Sequence, residues 1–389
     1  MQKSLIQFDA TIKTEATKEL YYYTLDKFCD FAGIDFRTDG KTFIKKGKLK
    51  EPKRFYNYDS ILELSDQQIN DKLIGYIEYL KDLVKSGNLN PNSVPKYFNG
   101  IEHFLTMNDR VFNWTKLHKM FPAKKKETGK EAYTTEQIRD ILSYAKSART
   151  RFIILFLCST GARIGALNNI KLKHIKKMKD SDCYCVTLYP DEVEEVYAFL
   201  TPEASKAYET YIEERRRDGE QFTPESPLFR TIYRLGIEKV KAATSRAIEG
   251  VVYRLLKKAV INRTKIGIRY NIQADHGFRK WYKIQIASTP DIPYEMSKKL
   301  IHHKDLEGKY NVPRPEDLFV YFHKAIPNLT IDDSARKQAE IQAKDKRIAE
   351  LEARDDKIKE LDRKYENLLL LLQAYPDLAK QITDFKLKQ

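Results

Sequence analysis

The chain has 389 residues, with 70 Lys+Arg against 55 Asp+Glu, a net charge of +15 and a pI near 9.3. That length suits two domains and an appendage, and the basic excess favours a polyanionic partner, since each neutralised phosphate releases counterions. No N-terminal apolar segment of signal type, no apolar run of spanning length and no Cys-x-x-Cys or zinc-spaced His/Cys cluster occurs, Cys29, Cys158, Cys183 and Cys185 standing apart or in simple alternation. The expectation is therefore a soluble cytoplasmic protein with reduced structural thiols, no membrane span, no metal and no cofactor.

Residues 15 to about 122 read as mostly helical, because Glu19 to Phe28 and Ile69 to Leu80 carry apolar residues at spacings of three and four. A turn at 87–92, with Pro91, precedes another helix from about Val94 to Met107. Between the first two helices stand six cations, Lys45, Lys46, Lys48, Lys50, Lys53 and Arg54, with one acid and with Gly47 and Pro52 to break the chain. This stretch is expected as a flexible loop, either lying along phosphates or simply solvated. Lys124, Lys125 and Lys126 then open an exposed basic linker at 123–132, which separates a first domain at 1–122 from a second at 133–333.

In the second domain, Thr134 to Gln137 has the pattern of a helix cap, and Arg151 to Ser159 reads as a buried helix ending near Gly161. Two strands are predicted at Tyr184 to Tyr189 and Val193 to Leu200, joined by Pro190-Asp191-Glu192. Helices follow at Pro202 to Arg217 and Ala242 to Ala259, so the fold class is mainly α with a small antiparallel sheet. The tail at 334–389 differs in kind. Ile358, Leu361, Tyr365, Leu368 and Leu372 alternate steps of three and four, as in a coiled-coil seam, while Ile341, Ile348 and Leu351 keep another register that breaks near Asp355. Self-association through this helix, a long solvated helix and packing of the helix on its own domain all fit a repeat so short.

Three separated segments carry the chemistry: Thr160-Gly161-Ala162-Arg163, His276-Gly277-Phe278-Arg279, and Leu300-Ile301-His302-His303 followed by Tyr310. Arg163 follows an apolar segment, and a buried arginine there needs an anion. His276 and Arg279 are three apart and share a helical face, with Lys280 beside them. Two arginines can clamp the non-bridging oxygens of one phosphate. A phenol can act as nucleophile and imidazoles can handle protons, all without a metal. No Gly-rich phosphate loop of the P-loop type is present.

In order and context these residues resemble the tyrosine recombinase (phage-integrase) family, which has Arg, His-x-x-Arg, His and Tyr in this sequence. The phrases His276 to Lys280 and Tyr310 to Pro315 resemble integrases of archaeal mobile elements, and the likeness runs from about residue 15 to 331. The resemblance implies a helical core-binding domain, a recombinase catalytic domain, and a site of Arg163, His276, Arg279, His303 and Tyr310 acting on double-stranded DNA as a tetramer on two duplexes. His302 then stands where the family has glycine, and His303 takes the catalytic slot. Tyr310 lies seven residues after His303 and Tyr321 eighteen, which favours Tyr310 as nucleophile and leaves Tyr321 as a packing residue. Two departures stand out. Ala166 replaces the usual acid three positions after Arg163. The hairpin turn from Tyr189 to Glu195 lacks the usual lysine, with Val193 in its place, so Lys239, Lys241 and Lys265 become candidates for that role. A type IB topoisomerase, or a DNA-binding regulator descended from an integrase, would share many of these features.

Overall fold

The computed structural model describes residues 2–41, 43–45, 48–50, 52–125, 131–231, 240–266, 269–302 and 313–374. The chain divides into two compact units, Met1–Glu127 and Thr128–Gln389.

The first unit begins with α1 (Leu5–Ala10) and α2 (Glu15–Ala32), the latter capped by Thr14, whose side chain accepts from the Thr17 amide, and stopped by Gly33 in the left-handed region. Four short strands follow, β1 (Phe36–Thr38), β2 (Phe43–Lys45), β3 (Lys48–Lys50) and β4 (Arg54–Tyr56). They pair as two antiparallel ribbons, β1 with β4 and β2 with β3, Phe36 facing Tyr56 and Phe43 facing Lys50. The cation-rich segment expected as a loop is therefore strand along much of its length. Backbone pairing makes these ribbons, and the apolar alternation that announces a strand in sequence is missing from them.

Helices α3 (Asp59–Leu62), α4 (Asp66–Lys85), α5 (Val94–Met107) and α6 (Trp114–Lys119) complete the unit. Ser65 and Gln68 form a reciprocal capping box at the start of α4. The core is aromatic, with Phe8, Phe28, Tyr76, Phe98 and Phe104 fully buried. Helices α2 and α5 approach closely at Gly100, where a Cβ would lie 2.8 Å from the Leu25 amide nitrogen.

The second unit opens with α7 (Thr135–Ser143), capped by the expected Thr134–Gln137 box. Next comes α8 (Ala148–Thr160), every residue of which from Phe152 to Thr160 is buried. A helix apolar all round has no solvent face, so it becomes the centre of its domain. Phe152 stacks on Phe229 with ring centroids 5.3 Å apart. The sheet has three strands, β5 (Ile175–Lys177), β6 (Tyr184–Leu188) and β7 (Val196–Leu200), in antiparallel order. The edge strand β5 has no apolar alternation in its sequence. The second hairpin strand begins at Val196 rather than at the expected Val193, because Tyr189 and Asp191 take φ of +52° and +64° and turn the chain over 189–195.

Helix α9 (Pro202–Arg217) has the expected bounds, and α10 (Ser245–Lys258) starts later than Ala242, under a Thr244 cap. A two-residue ribbon, β8 (Lys265–Ile266) with β9 (Arg269–Tyr270), leads to α11 (His276–Ala287), α12 (Tyr294–Leu300) and α13 (Pro315–Leu329). The last element, α14 (Asp333–Ala374), is one helix of 42 residues that passes Asp355 unbroken. Its seam residues Ile358, Leu361, Tyr365 and Leu368 are exposed. All four cysteines are free and buried. Among the described residues no helix is long and apolar enough to cross a membrane.

Candidate active site

The site is built where α8 ends. Gly161 caps the helix at φ +60°, its amide donating to the Leu157 carbonyl at 3.0 Å. Glycine is needed twice over here, for the left-handed turn and because a Cβ would sit 2.7 Å from Cγ of Tyr282. The turn brings Arg163 out at the head of a short 3-10 helix, Ile164–Asn168, where its carbonyl accepts from the Ala166 amide at 2.9 Å. Arg163 is exposed rather than buried as expected, and it is Arg279 that is enclosed. Ala166, in the position of the usual acid, is buried and apolar.

Helix α11 supplies the second segment. Gly277 lets it pack close, since a Cβ there would stand 2.8 Å from Ile272 Cγ2, and Tyr133 fixes the preceding loop by donating to the Ala274 carbonyl at 2.9 Å. Phe278, Trp281, Tyr282 and Ile286 face the core. His276, at the first position of the helix, is exposed, and Lys280 and Lys283 are half-buried. Spacings of three, four and seven from His276 put Arg279, Lys280 and Lys283 along one side of the helix.

Arg279 joins three segments. Nη1 donates to the Gly161 carbonyl at 2.5 Å and lies 3.4 Å from Nδ1 of His302, and Nη2 donates to the Ile301 carbonyl at 3.0 Å. Its side chain thereby ties the end of α8 to the end of α12. Tyr282 reinforces the same junction by donating to the Leu300 carbonyl at 3.1 Å. Burial first, and then the charge of Arg163, lower the Arg279 pKa.

His302 follows the Ile301 cap of α12 at φ +55°, a left-handed backbone that favours glycine. Its ring lies 6.4 Å from that of Tyr282 at an interplanar angle of 28°, and its enclosed Nε2 has no hydrogen-bond partner among the described residues. Burial, followed by Arg279, Arg163 and Lys283, pushes the imidazole pKa down to about 3, so the ring is neutral at pH 7. Lys283 is lowered too, by burial and then by Arg279 and Arg163. Arg163, Arg279, Lys283 and His302 thus form one electrostatic cluster. Tyr189, where the hairpin turn begins, also acts on Arg279. Farther along that turn Val193 is 86% exposed among four acids, Asp191, Glu192, Glu194 and Glu195.

Of the expected catalytic set, the structure brings Arg163 and Arg279 together and places His276 on the same helix as Arg279. His303 and Tyr310 lie outside the described residues. Tyr321 is half-buried on α13 against the core, with Lys324 Nζ 5.6 Å from its ring centroid. Lys283 is absent from the candidates drawn from sequence, although its spacing of four from Arg279, like the spacing of three between His276 and Arg279, puts both residues on one helical face. Of the hairpin-lysine substitutes, Lys241 lines a cavity of about 660 Å³ with Lys171 and Glu225, Lys265 lies on β8, and Lys239 is outside the described residues.

The expected DNA-contacting cations sit in the first unit, apart from Lys280. Lys45, Lys48 and Lys50 are on the β2–β3 ribbon. Lys53 and Arg54 are exposed, Lys53 Nζ 5.0 Å from the Phe55 ring centroid. Arg54 pairs with Asp30 at 2.7 Å and lies 4.8 Å over Phe36. Lys124 and Lys125 are exposed, and the Lys125 backbone is clipped to Asn92 by bonds of 3.0 and 2.8 Å. Lys46 and Lys126 lie outside the described residues.

No protein-family model and no curated protein matches the chain. Solved structures similar to it include the XerA recombinase, at 16% identity over 88% of this chain and 98% of that one, with a TM-score of 0.36. The Tn1549 transposon integrase (residues 82–397) in complex with circular intermediate DNA is similar at 13% identity, 82% and 97% coverage and TM-score 0.47. A λ integrase (75–356) dimer bound to a COC′ core site gives 13%, 79% and 94%, and 0.46.

Proposed function

We propose that this chain is a tyrosine-type site-specific DNA recombinase, which cleaves and rejoins strands through a 3′-phosphotyrosyl intermediate. The observation that carries most weight is the setting of Arg279. Its described hydrogen bonds go to two carbonyl oxygens and an imidazole nitrogen, and its charged neighbours among the described residues are Arg163 and Lys283 rather than carboxylates. Enclosed positive charge without a counter-charge is costly, and a bound anion relieves the cost. A phosphodiester suits two guanidinium forks, and the order of motifs in the sequence supplies the remaining groups.

In this scheme Arg163 and Arg279 hold the non-bridging oxygens of the scissile phosphate. Tyr310 attacks phosphorus, its proton passing to a histidine imidazole of the His276/His303 pair. The bond to O5′ breaks, leaving a 3′-phosphotyrosine and a 5′-hydroxyl. A phenol has a pKa of about 10, so the clamped cations have to favour its ionised form. The 5′-hydroxyl of a partner strand then displaces the tyrosine. The phosphodiester energy is kept in the covalent link, so the chemistry requires neither nucleotide nor metal. Exchange between two duplexes calls for four protomers, and the exposed seam of α14 is proposed as a self-association surface. The cations of the first unit are proposed to follow the DNA backbone. One feature favours a second reading, a DNA-binding regulator that no longer cuts: the hairpin turn from Tyr189 to Glu195 holds Val193 and no lysine to protonate a leaving group.

The test uses a nicked suicide duplex whose sequence has been selected by binding to the full chain. A denaturant-resistant protein–DNA adduct is expected from wild type and from Tyr321→Phe, and none from Tyr310→Phe. Adduct loss in Tyr321→Phe alone would move the nucleophile. Binding without any wild-type adduct would favour the regulator.

A further inference from the structure

The hairpin turn at 189–195 contains no lysine, so the leaving O5′ in the proposed reaction has no proton donor from that place. We infer that Lys283, on α11 one turn beyond Arg279, is the catalytic residue that protonates it; this rests on the strand-transfer reading above. Residues four apart on a helix have Cβ atoms about 5–6 Å apart and side chains on one face. A lysine stem is long enough for Nζ to reach the bridging oxygen of the phosphate whose non-bridging oxygens Arg279 holds. Lys283 is half-buried, and the charges acting on it belong to Arg279 and Arg163, the two phosphate-holding groups. Like charges four apart on a helix destabilise it, so this row of cations is expensive to keep unless an anion comes between them. The neighbouring Lys280 already has an interaction partner, and Lys241 lies in the cavity beside Lys171 and Glu225. Enclosure beside two guanidiniums also makes the ammonium a readier proton donor than a lysine in water.

The step balances. As the tyrosine oxygen bonds to phosphorus and the P–O5′ bond breaks, the electron pair goes to O5′, which takes a proton from the Lys283 ammonium and leaves a neutral amine. In the rejoining step the amine takes that proton back from the attacking 5′-hydroxyl.

The test compares two duplexes of the same selected sequence, one with the ordinary O5′ and one with sulfur in its place at the scissile phosphate. A thiolate leaves without a proton, so the sulfur duplex bypasses a general acid and nothing else. With full-length Lys283→Met and Lys283→Arg, adduct formation on the oxygen duplex is expected to fall by about 10²–10⁴-fold. On the sulfur duplex it is expected to stay within a few-fold of wild type, which also proves the variants folded. The inference is overturned if either variant cleaves the oxygen duplex like wild type. Equal loss on both duplexes in variants of wild-type melting temperature and DNA affinity would also overturn it, by making Lys283 a clamp or a brace. Wild type that forms no adduct with either duplex sinks the strand-transfer reading, and the Lys283 assignment with it.

Discussion

Arg279 Nη1 donates to the carbonyl oxygen of Gly161 at 2.5 Å, across 118 positions of the chain. The bond fastens one arginine segment to the residue that turns the other. The electrostatic cluster and the packing of α8, α11 and α12 therefore share a hinge-point, and changes there should be felt in both stability and chemistry.

Gly161→Ala should destabilise the second unit. The added methyl meets the Tyr282 ring and is held at φ +60°, so the overpacking alone should cost about 1–3 kcal/mol, with a further penalty for the left-handed backbone. Denaturant unfolding of the variant against wild type measures it. An unchanged midpoint would mean the turn relaxes freely.

Arg279→Lys keeps the charge but replaces a planar fork by a single ammonium, which cannot serve the Gly161 and Ile301 carbonyls and a phosphate together. Adduct formation should drop by about 10²–10³-fold, accompanied by a lower melting temperature. Loss of stability with normal cleavage would make Arg279 a brace only.

His302 sets a pH dependence. Its imidazole has a folded pKa of about 3 against 6.5 for the free group, so between those values the unfolded chain binds a proton that the folded chain does not. Stability linked to this residue is complete above pH 6.5, falls as the pH drops below it, and levels off only near pH 3. His302→Asn, a residue that tolerates the left-handed backbone, should flatten that part of the profile in melting temperatures measured across this range. An identical slope in the variant would assign the acid sensitivity elsewhere.

The cations of the first unit should govern salt dependence. Replacing Lys48, Lys50 and Lys53 together by Ala should reduce the slope of log K against log salt by about 0.9 for every phosphate that is no longer neutralised. Binding titrations at several salt concentrations would reveal this, and a parallel shift without change of slope would argue against pairing of these lysines with phosphates.

Removing residues 341–389 leaves the first eight residues of α14, including the Arg139–Asp333 ion pair of 2.7 Å, but takes away the exposed seam. If that seam joins copies, light scattering should report a smaller assembly for the shortened chain. The same number of subunits for both would leave α14 a solitary helix.

Much of this architecture is readable in the residues. Helix α5 runs from Val94 to Met107 as its apolar spacing indicates, and the Thr134–Gln137 box starts α7. The elements that escape such reading are short strands. Ribbons β1–β4 and edge strand β5 are held by backbone pairing to partners that sequence periodicity cannot name, and their charged side chains imitate a loop. The arginines reverse roles for a related reason. Arg163 follows an apolar helix, but Gly161 turns the chain outward before reaching it, while Arg279 is drawn inward by carbonyls of distant segments. Lys283 obeys the helical spacing rule, but only the folded chain brings the charge of Arg163 to bear on it.

The three-way anchoring of Arg279 bears on how such a protein can change over generations. If the strand-transfer proposal holds, a descendant that had given up cutting DNA would still need a planar, multiply donating group to hold the ends of α8 and α12 together. Selection for folding would preserve the arginine long after selection for strand transfer had ceased. Its survival in a sequence thus reports an intact scaffold, while exposed Arg163 and half-buried Lys283, which carry less of the packing, are the positions where disuse would first leave a mark.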